Sequence, residues 1–207
     1  MVDVNGFVKQ TNPKPFHYSE SYAMKQATNT EMAHLRLGYT LSHVPYDALK
    51  KSKVLELGPG NGLLLGLLKR SCARAEGYDV SPRPYPTLEP HEAISTEWDG
   101  LVACDVIEHF HDIDHLWSYR FKWAYISVPF PPAVFLKQTA EGTDFTTSWR
   151  HFKPDEHVYY LSAAAALTWF HRHGYEIMSV GCPEDLIRTR WEGQEPNICT
   201  FFIRRHS

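Results

Sequence analysis

The chain has 207 residues, of which 43% are hydrophobic and 22% charged, and its formal net charge is −3. This length and composition predict one globular domain, spanning residues 1–207, with a single well-filled core. The small negative charge argues against a protein that binds nucleic acid mainly through a basic surface.

The cysteines and the apolar segments indicate a cellular compartment. The four cysteines lie far apart in the sequence and form no C-x-x-C pair, which is typical of reduced thiols in a protein core. The first residues show no apolar segment of the kind found in a signal peptide, and no uninterrupted apolar run reaches the roughly 18 residues of a membrane span. We therefore expect a cytoplasmic protein that does not cross a membrane.

The N-terminal part is expected to differ from the rest. Residues 1–18 contain prolines and asparagines without periodicity, which predicts an irregular arm. From residue 19 to about residue 44 the apolar spacing becomes helical, and this predicts one or two helices before the first strand. Residues 1–45 would then form an arm and a helical lid on a core made by residues 46–207.

Strand and helix patterns alternate through this core. Strands are predicted near residues 54–57, 73–80, 101–104, 123–128, 175–180 and 197–205, and helices at 63–70, from 112 and from 163 to 173. Four prolines in residues 81–90 predict an irregular connection there. The alternation predicts a doubly wound α/β protein of three layers, with helices on both faces of a mainly parallel sheet.

A glycine-rich turn follows the first core strand. The segment KVLELGPGNG ends in Gly58, Gly60 and Gly62 and carries an acidic residue, Glu56, inside the strand. Gly58 allows a tight turn, Gly60 permits close approach of a ligand, and Gly62 lets the next helix pack near the strand. Asp79 ends the second strand, where an acidic side chain can accept hydrogen bonds from a ribose diol. The combination predicts a nucleotide-like ligand at this edge of the sheet.

A second group of polar residues follows the strand at 101–104. Asp105, Glu108 and His109 form D-x-x-E-H, and on a helical turn this spacing places the three side chains on one side. Two carboxylates and an imidazole suit a divalent cation. The alternative interpretation is a turn in which Glu108 caps a helix and His109 shapes a substrate pocket without an ion.

The motif E-L-G-P-G-N-G resembles motif I of the class I methyltransferases that use S-adenosylmethionine. The resemblance continues through YDVS at 78–81, WDGLVACDVIEHF at 98–110 and ISVPFP at 126–131, and covers roughly residues 53–204. It implies a Rossmann-like sheet of seven strands in the order 3-2-1-4-5-7-6, with the last strand antiparallel. It also implies binding of S-adenosylmethionine by residues at the carboxyl ends of the strands: Glu56, Gly58, Gly60, Asn61, Gly62, Asp79, Val80 and Asp105. For adenine the sequence offers Ser95, Thr96 or Glu97.

D-x-x-E-H is similar to the E-x-x-E-H of the small RNA 3′-terminal 2′-O-methyltransferases and of the ubiquinone-pathway O-methyltransferases, with Asp in place of the first Glu. A further histidine completes the metal site of the RNA enzymes. His157 lies at the matching place in this chain, and His151 is less well aligned. The resemblance thus implies a Mg²⁺ or Mn²⁺ site of Asp105, Glu108, His109 and His157, with Glu108, His109 and His157 acting in catalysis.

These features predict a methyltransferase that acts on an oxygen, or less readily a nitrogen, of a small hydroxylated metabolite. One alternative is a metal-assisted 2′-O-methyltransferase of RNA or a nucleotide. A second is a non-enzymatic scaffold that binds the cofactor, and a dehydrogenase is a weaker one.

Overall fold

The computed structural model describes residues 2–4, 7–10, 30–132, 136, 149, 151–153, 156–188 and 196–206. The part of the predicted helical stretch at residues 19–29 lies outside the described residues. No helix in the described part of the chain is long and apolar enough to cross a membrane.

The elements follow the alternating pattern that the sequence predicts. The strands, in chain order, are β1 (Val2–Val4), β2 (Phe7–Lys9), β3 (Lys53–Leu57), β4 (Arg74–Tyr78), β5 (Gly100–Cys104), β6 (Trp123–Pro129), β7 (Tyr159–Tyr160), β8 (Tyr175–Gly181) and β9 (Ile198–Arg205). The helices are α1 (Thr30–His43), α2 (Tyr46–Leu49), α3 (Leu63–Ser71), α4 (Pro90–Ser95) and α5 (Ala163–Arg172), with 3-10 turns at Ile107–His109, Ile113–Ser118 and Pro183–Leu186.

The central sheet has six strands in the order β4-β3-β5-β6-β9-β8. The strands β4, β3, β5 and β6 are parallel to one another, whereas β9 runs antiparallel to both β6 and β8. The mainly parallel sheet and its antiparallel last strand confirm the predicted Rossmann-like fold. Because neighbouring parallel strands end at the same edge, the turns after β3, β4 and β5 lie together.

The predicted third strand, at the outer edge of the sheet, is absent between residues 79 and 99. The prolines of residues 81–90 leave that segment without helix or strand, and the short helix α4 then returns the chain toward β5. The amide of Leu88 donates to the carbonyl of Gly77 at 2.8 Å, so part of the β4 edge is covered by this irregular segment instead of a strand.

Apolar side chains cover both faces of the sheet. On one face, residues of α1 and α3 such as Ala33 and Leu65 pack with Val54, Val102 and Phe202. On the other face the aromatic residues of α5 pack against the opposite side chains of β5 and β6. Helix α5 begins where the sequence predicts, because the Ser162 hydroxyl accepts a hydrogen bond from the Ala165 amide.

Residues 2–4 and 7–9 form strands where the sequence predicts an irregular arm over 1–18, and residues 11–18 of that arm lie outside the described residues. β1 pairs with β2, and β2 pairs with β7 at Val8–Tyr160 and Lys9–Tyr159. The amide of Gln10 donates to the carbonyl of Val158 at 2.9 Å. Long-range backbone pairing, which local periodicity does not reveal, therefore attaches the start of the chain to the segment that carries His157.

Candidate active site

The glycine loop turns the chain sharply at the carboxyl end of β3. Gly58, Gly60 and Gly62 have positive φ values of 59°, 56° and 77°, a conformation that glycine adopts most readily. The side chain of Asn61 accepts a hydrogen bond from the Leu63 amide at 3.2 Å at the start of α3. A Cβ placed on Gly60 would meet no heavy atom within 4 Å. The backbone at Gly60 therefore borders open space, as a ligand-binding loop requires.

Glu56 lies beneath this loop as a buried carboxylate. Its side chain is 5% exposed, and its Oε2 atom has no hydrogen-bond partner. Burial raises the pKa of Glu56 to about 8, and the positive charge of Arg36 opposes this only in part. An unpartnered carboxylate oxygen of this kind would be stabilised by a cationic ligand group.

Asp79 lies at the end of β4, as predicted, and its carboxylate is engaged within the protein. One oxygen accepts the Ser81 amide at 2.9 Å, and the other accepts Nε of Arg83 at 2.7 Å. The next residue, Val80, has 78% of its surface exposed. An exposed apolar side chain at this edge is suited to contact with a flat ring.

The segment after Asp79 covers the glycine loop, a feature that the sequence analysis missed. The Tyr85 hydroxyl donates to the carbonyl of Gly60 at 2.7 Å, and its ring would lie 3.0 Å from a Cβ at Gly62. The prolines on both sides of Tyr85 signal an extended segment, but nothing in the local pattern predicts where it packs.

The three residues suggested for adenine lie at the opposite edge of the sheet. Glu97 forms a bridge and an ion pair with Arg120, which precedes β6. The Ser95 carbonyl accepts a hydrogen bond from the same Arg120 side chain, and Thr96 directly follows α4. These positions precede β5 and β6, so they lie at the amino edge, and this expectation was wrong.

Glu108, His109 and His157 come together at the end of β5. The Ile107–His109 turn carries the first two, and the amide of Val158 donates to the Glu108 carbonyl at 2.8 Å, which ties the segment of His157 to this turn. One ligand atom from each side chain lies within 4.8 Å of the others. The side chains form the only such group of three or more potential ligands among the described residues. We call these three residues the triad.

Burial governs the electrostatics of the triad. Glu108 is 1% exposed, and neither of its carboxylate oxygens has a hydrogen-bond partner. Burial, reinforced by the negative charge of Asp105, raises the pKa of Glu108 well above its usual value. Burial lowers the pKa of His157 to about 2, and it also lowers the pKa of His109. Both imidazoles are therefore neutral at pH 7.

Hydrogen bonding fixes the tautomer of His109. Its Nδ1 lies 2.9 Å from the carbonyl oxygen of Glu156, and because a carbonyl can only accept, this nitrogen carries the proton. The Nε2 atom keeps its lone pair and lies 3.9 Å from Oε1 of Glu108. The Nδ1 atom of His157 is buried without a partner. The triad thus offers two neutral imidazoles and a buried carboxyl group.

Asp105 does not belong to this group, although the sequence places it in the same motif. Its backbone has a φ of 55°, and its carboxylate forms ion pairs with Arg36 at 3.2 Å and with Arg188. The two guanidinium groups keep the pKa of Asp105 well below its usual range, despite burial. Asp105 is therefore ionised and held away from a role as a fourth ligand.

The partners of Asp105 belong to a larger buried network. Arg36 binds both oxygens of Glu184 at 2.8 Å, and the Tyr125 hydroxyl donates to Glu184 at 3.1 Å. Arg188 reaches Glu184 at 3.1 Å. Sequence analysis missed Arg36, Glu184 and Arg188, because they come from α1 and from the turn after β8, and no local motif marks them.

His151, the alternative metal ligand in the sequence, is also placed outside the triad. It is 7% exposed, and its Nε2 atom lies 2.7 Å from Oδ1 of Asn197. The backbone amides of Asn197 and Ile198 donate to Asp185. His151 therefore belongs to a separate polar group beside the triad.

Comparisons with known proteins agree with this architecture. A family model described as a methyltransferase domain matches residues 30–180. A comparison with curated protein sequences found no match.

Several solved structures share the fold. An S-adenosylmethionine-dependent methyltransferase from Clostridium acetobutylicum is 10% identical, with a TM-score of 0.57 over 88% of this chain and 94% of that one. Magnesium protoporphyrin IX methyltransferase from Synechocystis, with bound cofactor, is 16% identical, with a TM-score of 0.55 over 86% and 79%. The small RNA methyltransferase HEN1 is 17% identical, with a TM-score of 0.54 over 89% of this chain and 26% of that one.

The family model covers most of the chain and includes the glycine loop, Asp79 and the D-x-x-E-H motif. The chain therefore belongs to the methyltransferase domain family, and it shares the fold of the methyltransferases of known structure described above.

Proposed function

We propose that this protein transfers the methyl group of S-adenosylmethionine to a hydroxyl oxygen of a small molecule that carries neighbouring hydroxyls. The observation that supports it best is the triad, in which two neutral imidazoles and a carboxyl group without hydrogen-bond partners come together at the end of β5. The triad lies at the same edge of the sheet as the glycine loop, so the methyl donor and the acceptor would meet between the loop and the triad.

The residues at the glycine loop fit the cofactor. S-adenosylmethionine carries an ammonium group, which would satisfy the buried Oε2 of Glu56. The open space at Gly60 would receive the ribose and amino-acid part, and the exposed Val80 would contact adenine. The carboxylate of Asp79, which also accepts a hydrogen bond from Arg83, would bind the ribose hydroxyls.

The triad also fits a divalent cation. Glu108, His109 and His157 supply one oxygen and two nitrogen ligands, a set that favours Mn²⁺ or a similar borderline ion over Mg²⁺. The Glu156 carbonyl would orient His109 as a ligand. Such an ion would bind the acceptor's hydroxyls and lower the pKa of one of them. In this proposal the metal has three protein ligands, and Asp105 stays with its arginines.

The chain's own residues suit proton removal from the acceptor. Burial lowers the pKa of His109, which favours the neutral imidazole at pH 7, and Nε2 carries the lone pair because Nδ1 donates to the Glu156 carbonyl. Where no ion occupies the triad, this Nε2 would accept the hydroxyl proton directly, while the sheet edge aligns oxygen, methyl carbon and sulfur. Most of the acceleration would come from this alignment.

A second candidate is methylation of a ribose 2′-hydroxyl in RNA or a nucleotide. A terminal ribose presents the same neighbouring hydroxyls to the triad, and one structural neighbour is a small RNA methyltransferase. The net charge of −3 favours a small acceptor over a long nucleic acid.

The first test measures cofactor binding and transfer. S-adenosylhomocysteine should bind in calorimetry, whereas NAD should not. Radiolabelled methyl transfer is then measured on a catechol, a hydroxylated benzoate, a nucleoside and a short RNA, with Mn²⁺ or with chelator. Transfer to a small hydroxylated compound supports the proposal, and transfer only to RNA supports the second candidate. Cofactor binding without transfer to any acceptor would instead indicate a scaffold.

The second test measures Mn²⁺ affinity by electron paramagnetic resonance. Glu108→Gln should weaken binding at least about tenfold, because a neutral amide replaces the carboxylate ligand. Glu156→Gln is the matched control, since its side chain binds Lys153 and its backbone carbonyl is retained. Asp105→Asn should not weaken binding, because Asp105 supplies no ligand and the loss of its charge favours the ionised form of Glu108. A loss in Asp105→Asn as large as that in Glu108→Gln would contradict the three-ligand site.

A further inference from the structure

The strand β2 and the residue after it contact both chain segments that carry the triad. On one side, Nζ of Lys9 donates to the carbonyl of His111 at 3.0 Å, shortly after the Ile107–His109 turn. On the other side, Gln10 follows β2 directly and hydrogen-bonds to the backbone of His157. The start of the chain therefore connects the two segments that form this part of the site.

The strand β2 is anchored in the core of the protein. Phe7 is fully buried, and its ring meets the rings of Tyr159 and Trp169 edge to face, with centroids 6.5 Å and 5.6 Å apart. The backbone of β2 also pairs with β7. Because Gln10 follows an anchored strand, it is a fixed point of attachment for the segment of His157.

Gln10 holds the backbone on the C-terminal side of His157 by two hydrogen bonds. Its amide donates to the carbonyl of Val158 at 2.9 Å, and its side-chain Nε2 donates to the carbonyl of His157 itself. Gln10 is buried, so water competes little for either bond. One residue thus holds two consecutive carbonyl groups next to a member of the triad.

His157 depends on such support more than His109 does. A histidine that binds a metal is usually oriented by a hydrogen bond at its other ring nitrogen. His109 has a bond of this kind, from Nδ1 to the Glu156 carbonyl, whereas Nδ1 of His157 has no hydrogen-bond partner in the described part of the chain. The imidazole of His157 is therefore placed by its backbone and by packing against the His109 ring, whose centroid lies 4.7 Å away.

We propose that Gln10 positions His157 in the triad. By holding the two carbonyls it sets the place of this imidazole relative to Glu108 and His109, and a displacement of about 1 Å is enough to impair a site that depends on alignment. Gln10 acts through His157 and does not itself meet the acceptor, so it is a positioning residue. The inference rests on the proposed function, in which the triad binds a cation.

The first measurement needs neither metal nor substrate. In the wild type, NMR should detect a nuclear Overhauser contact between the rings of His109 and His157, with His157→Gln used to assign the signals. Gln10→Met removes the side-chain donor and should weaken this contact and shift the His157 ring resonances. Tyr175→Phe is the matched control, because it removes a buried side-chain hydrogen bond to a backbone carbonyl, that of Phe121 at 3.0 Å, at the opposite edge of the sheet. It should leave the contact and the resonances unchanged.

A second variant, Gln10→Glu, keeps the shape of the side chain and the backbone bond to Val158 but replaces the Nε2 donor by an oxygen. It should change the His157 signals in the same way, and it decides the test if thermal unfolding shows that Gln10→Met is not folded. Unchanged signals in a folded variant would overturn the proposal, and so would an equal change in Tyr175→Phe.

The second measurement is Mn²⁺ affinity by electron paramagnetic resonance. Gln10→Met should lower the affinity about tenfold, the lower end of the range for residues that orient metal ligands, while Tyr175→Phe should match the wild type. Gln10→Glu is unsuited to this measurement because its negative charge would itself attract the cation. Unchanged affinity in Gln10→Met would contradict the proposal. Failure of Mn²⁺ to bind the folded wild type would instead refute the metal site of the proposed function, and the NMR comparison would then decide the role of Gln10.

Discussion

The glycine loop and the end of β5 lie at one edge of the same sheet, but they are built differently. The loop uses backbone conformation and two acidic residues within about one β-α-β unit, from Glu56 to Asp79. The end of β5 uses charged side chains from α1, from the turn after β8 and from the segment before β7. The first region leaves one buried oxygen of Glu56 without a partner, whereas the second pairs most of its charges and leaves the carboxyl oxygens of Glu108 and Nδ1 of His157 without partners.

The comparison suggests a division of tasks. A backbone loop can receive a cofactor whose shape does not change from one methyltransferase to another, because open space and positive φ values are its main requirements. An acceptor site needs particular side chains at particular distances, and long-range packing supplies them. Substitutions in the charged network at the end of β5 should therefore mainly lower stability, whereas substitutions in the glycine loop should mainly weaken ligand binding.

The largest expected effect is on the network beside Asp105. Arg36→Met should lower the free energy of unfolding by about 3–5 kcal/mol, because it leaves the buried carboxylate of Glu184 without its bidentate partner. Chemical denaturation measures the change. Arg74→Met is the control, since its ion pair with Glu76 is exposed and should change stability by less than about 1 kcal/mol. Similar losses in the two variants would show that the network does not stabilise the fold.

A smaller effect is expected from added side chains in the glycine loop. Gly60→Ala should weaken S-adenosylhomocysteine binding at least about tenfold, because its methyl group enters the space assigned to the cofactor. Gly174→Ala is a matched control, because Gly174 also has a positive φ, of 79°, and no atom within 4 Å of a Cβ, but lies after α5. Both variants should lose about 1 kcal/mol of stability from backbone strain. Equal affinity in the two variants would place the cofactor elsewhere.

The most gradual effect is the pH dependence of cofactor binding. The ammonium group of S-adenosylhomocysteine requires ionised Glu56, whose pKa in the free protein is about 8. Affinity measured by calorimetry should therefore rise with pH between 6 and 8, by up to about tenfold per pH unit. Glu56→Gln should remove this slope.

The groups that face Glu56 do not titrate in this range. Burial raises the pKa of Cys104 above its usual value and that of Tyr85 to about 12, and Arg36 stays charged. The free protein gives an independent check. Because folding raises the pKa of Glu56 from 4.5, the contribution of Glu56 to stability is fully present below pH 4.5 and should be lost as pH rises toward 8, so the difference in stability between the wild type and Glu56→Gln should change over this range. A slope in binding that persists in Glu56→Gln would assign the titration to another group.

The sequence predicted most of the fold because its signals are local. Alternating apolar segments marked β3, β4, β5, β6, β8 and β9, and Ser162 marked the start of α5. The missing edge strand shows the limit, since a family pattern implied seven strands while the prolines between 81 and 90 left too little regular chain to form one. The pairing of β2 with β7 was missed because it joins residues about 150 positions apart.

The amino-acid sequence by itself determined the glycine loop, the position of Asp79 at the end of β4, and the grouping of Glu108 with His109. These depend on neighbours in the chain, because a strand, a turn and a helix are defined by local conformation. Only the tertiary structure brought His157 to the triad, turned Asp105 toward Arg36 and Arg188, and moved Glu97 to the opposite edge. A buried charged group needs a partner, and in this protein the partners come from distant parts of the chain. Local sequence patterns do not indicate which distant groups will meet.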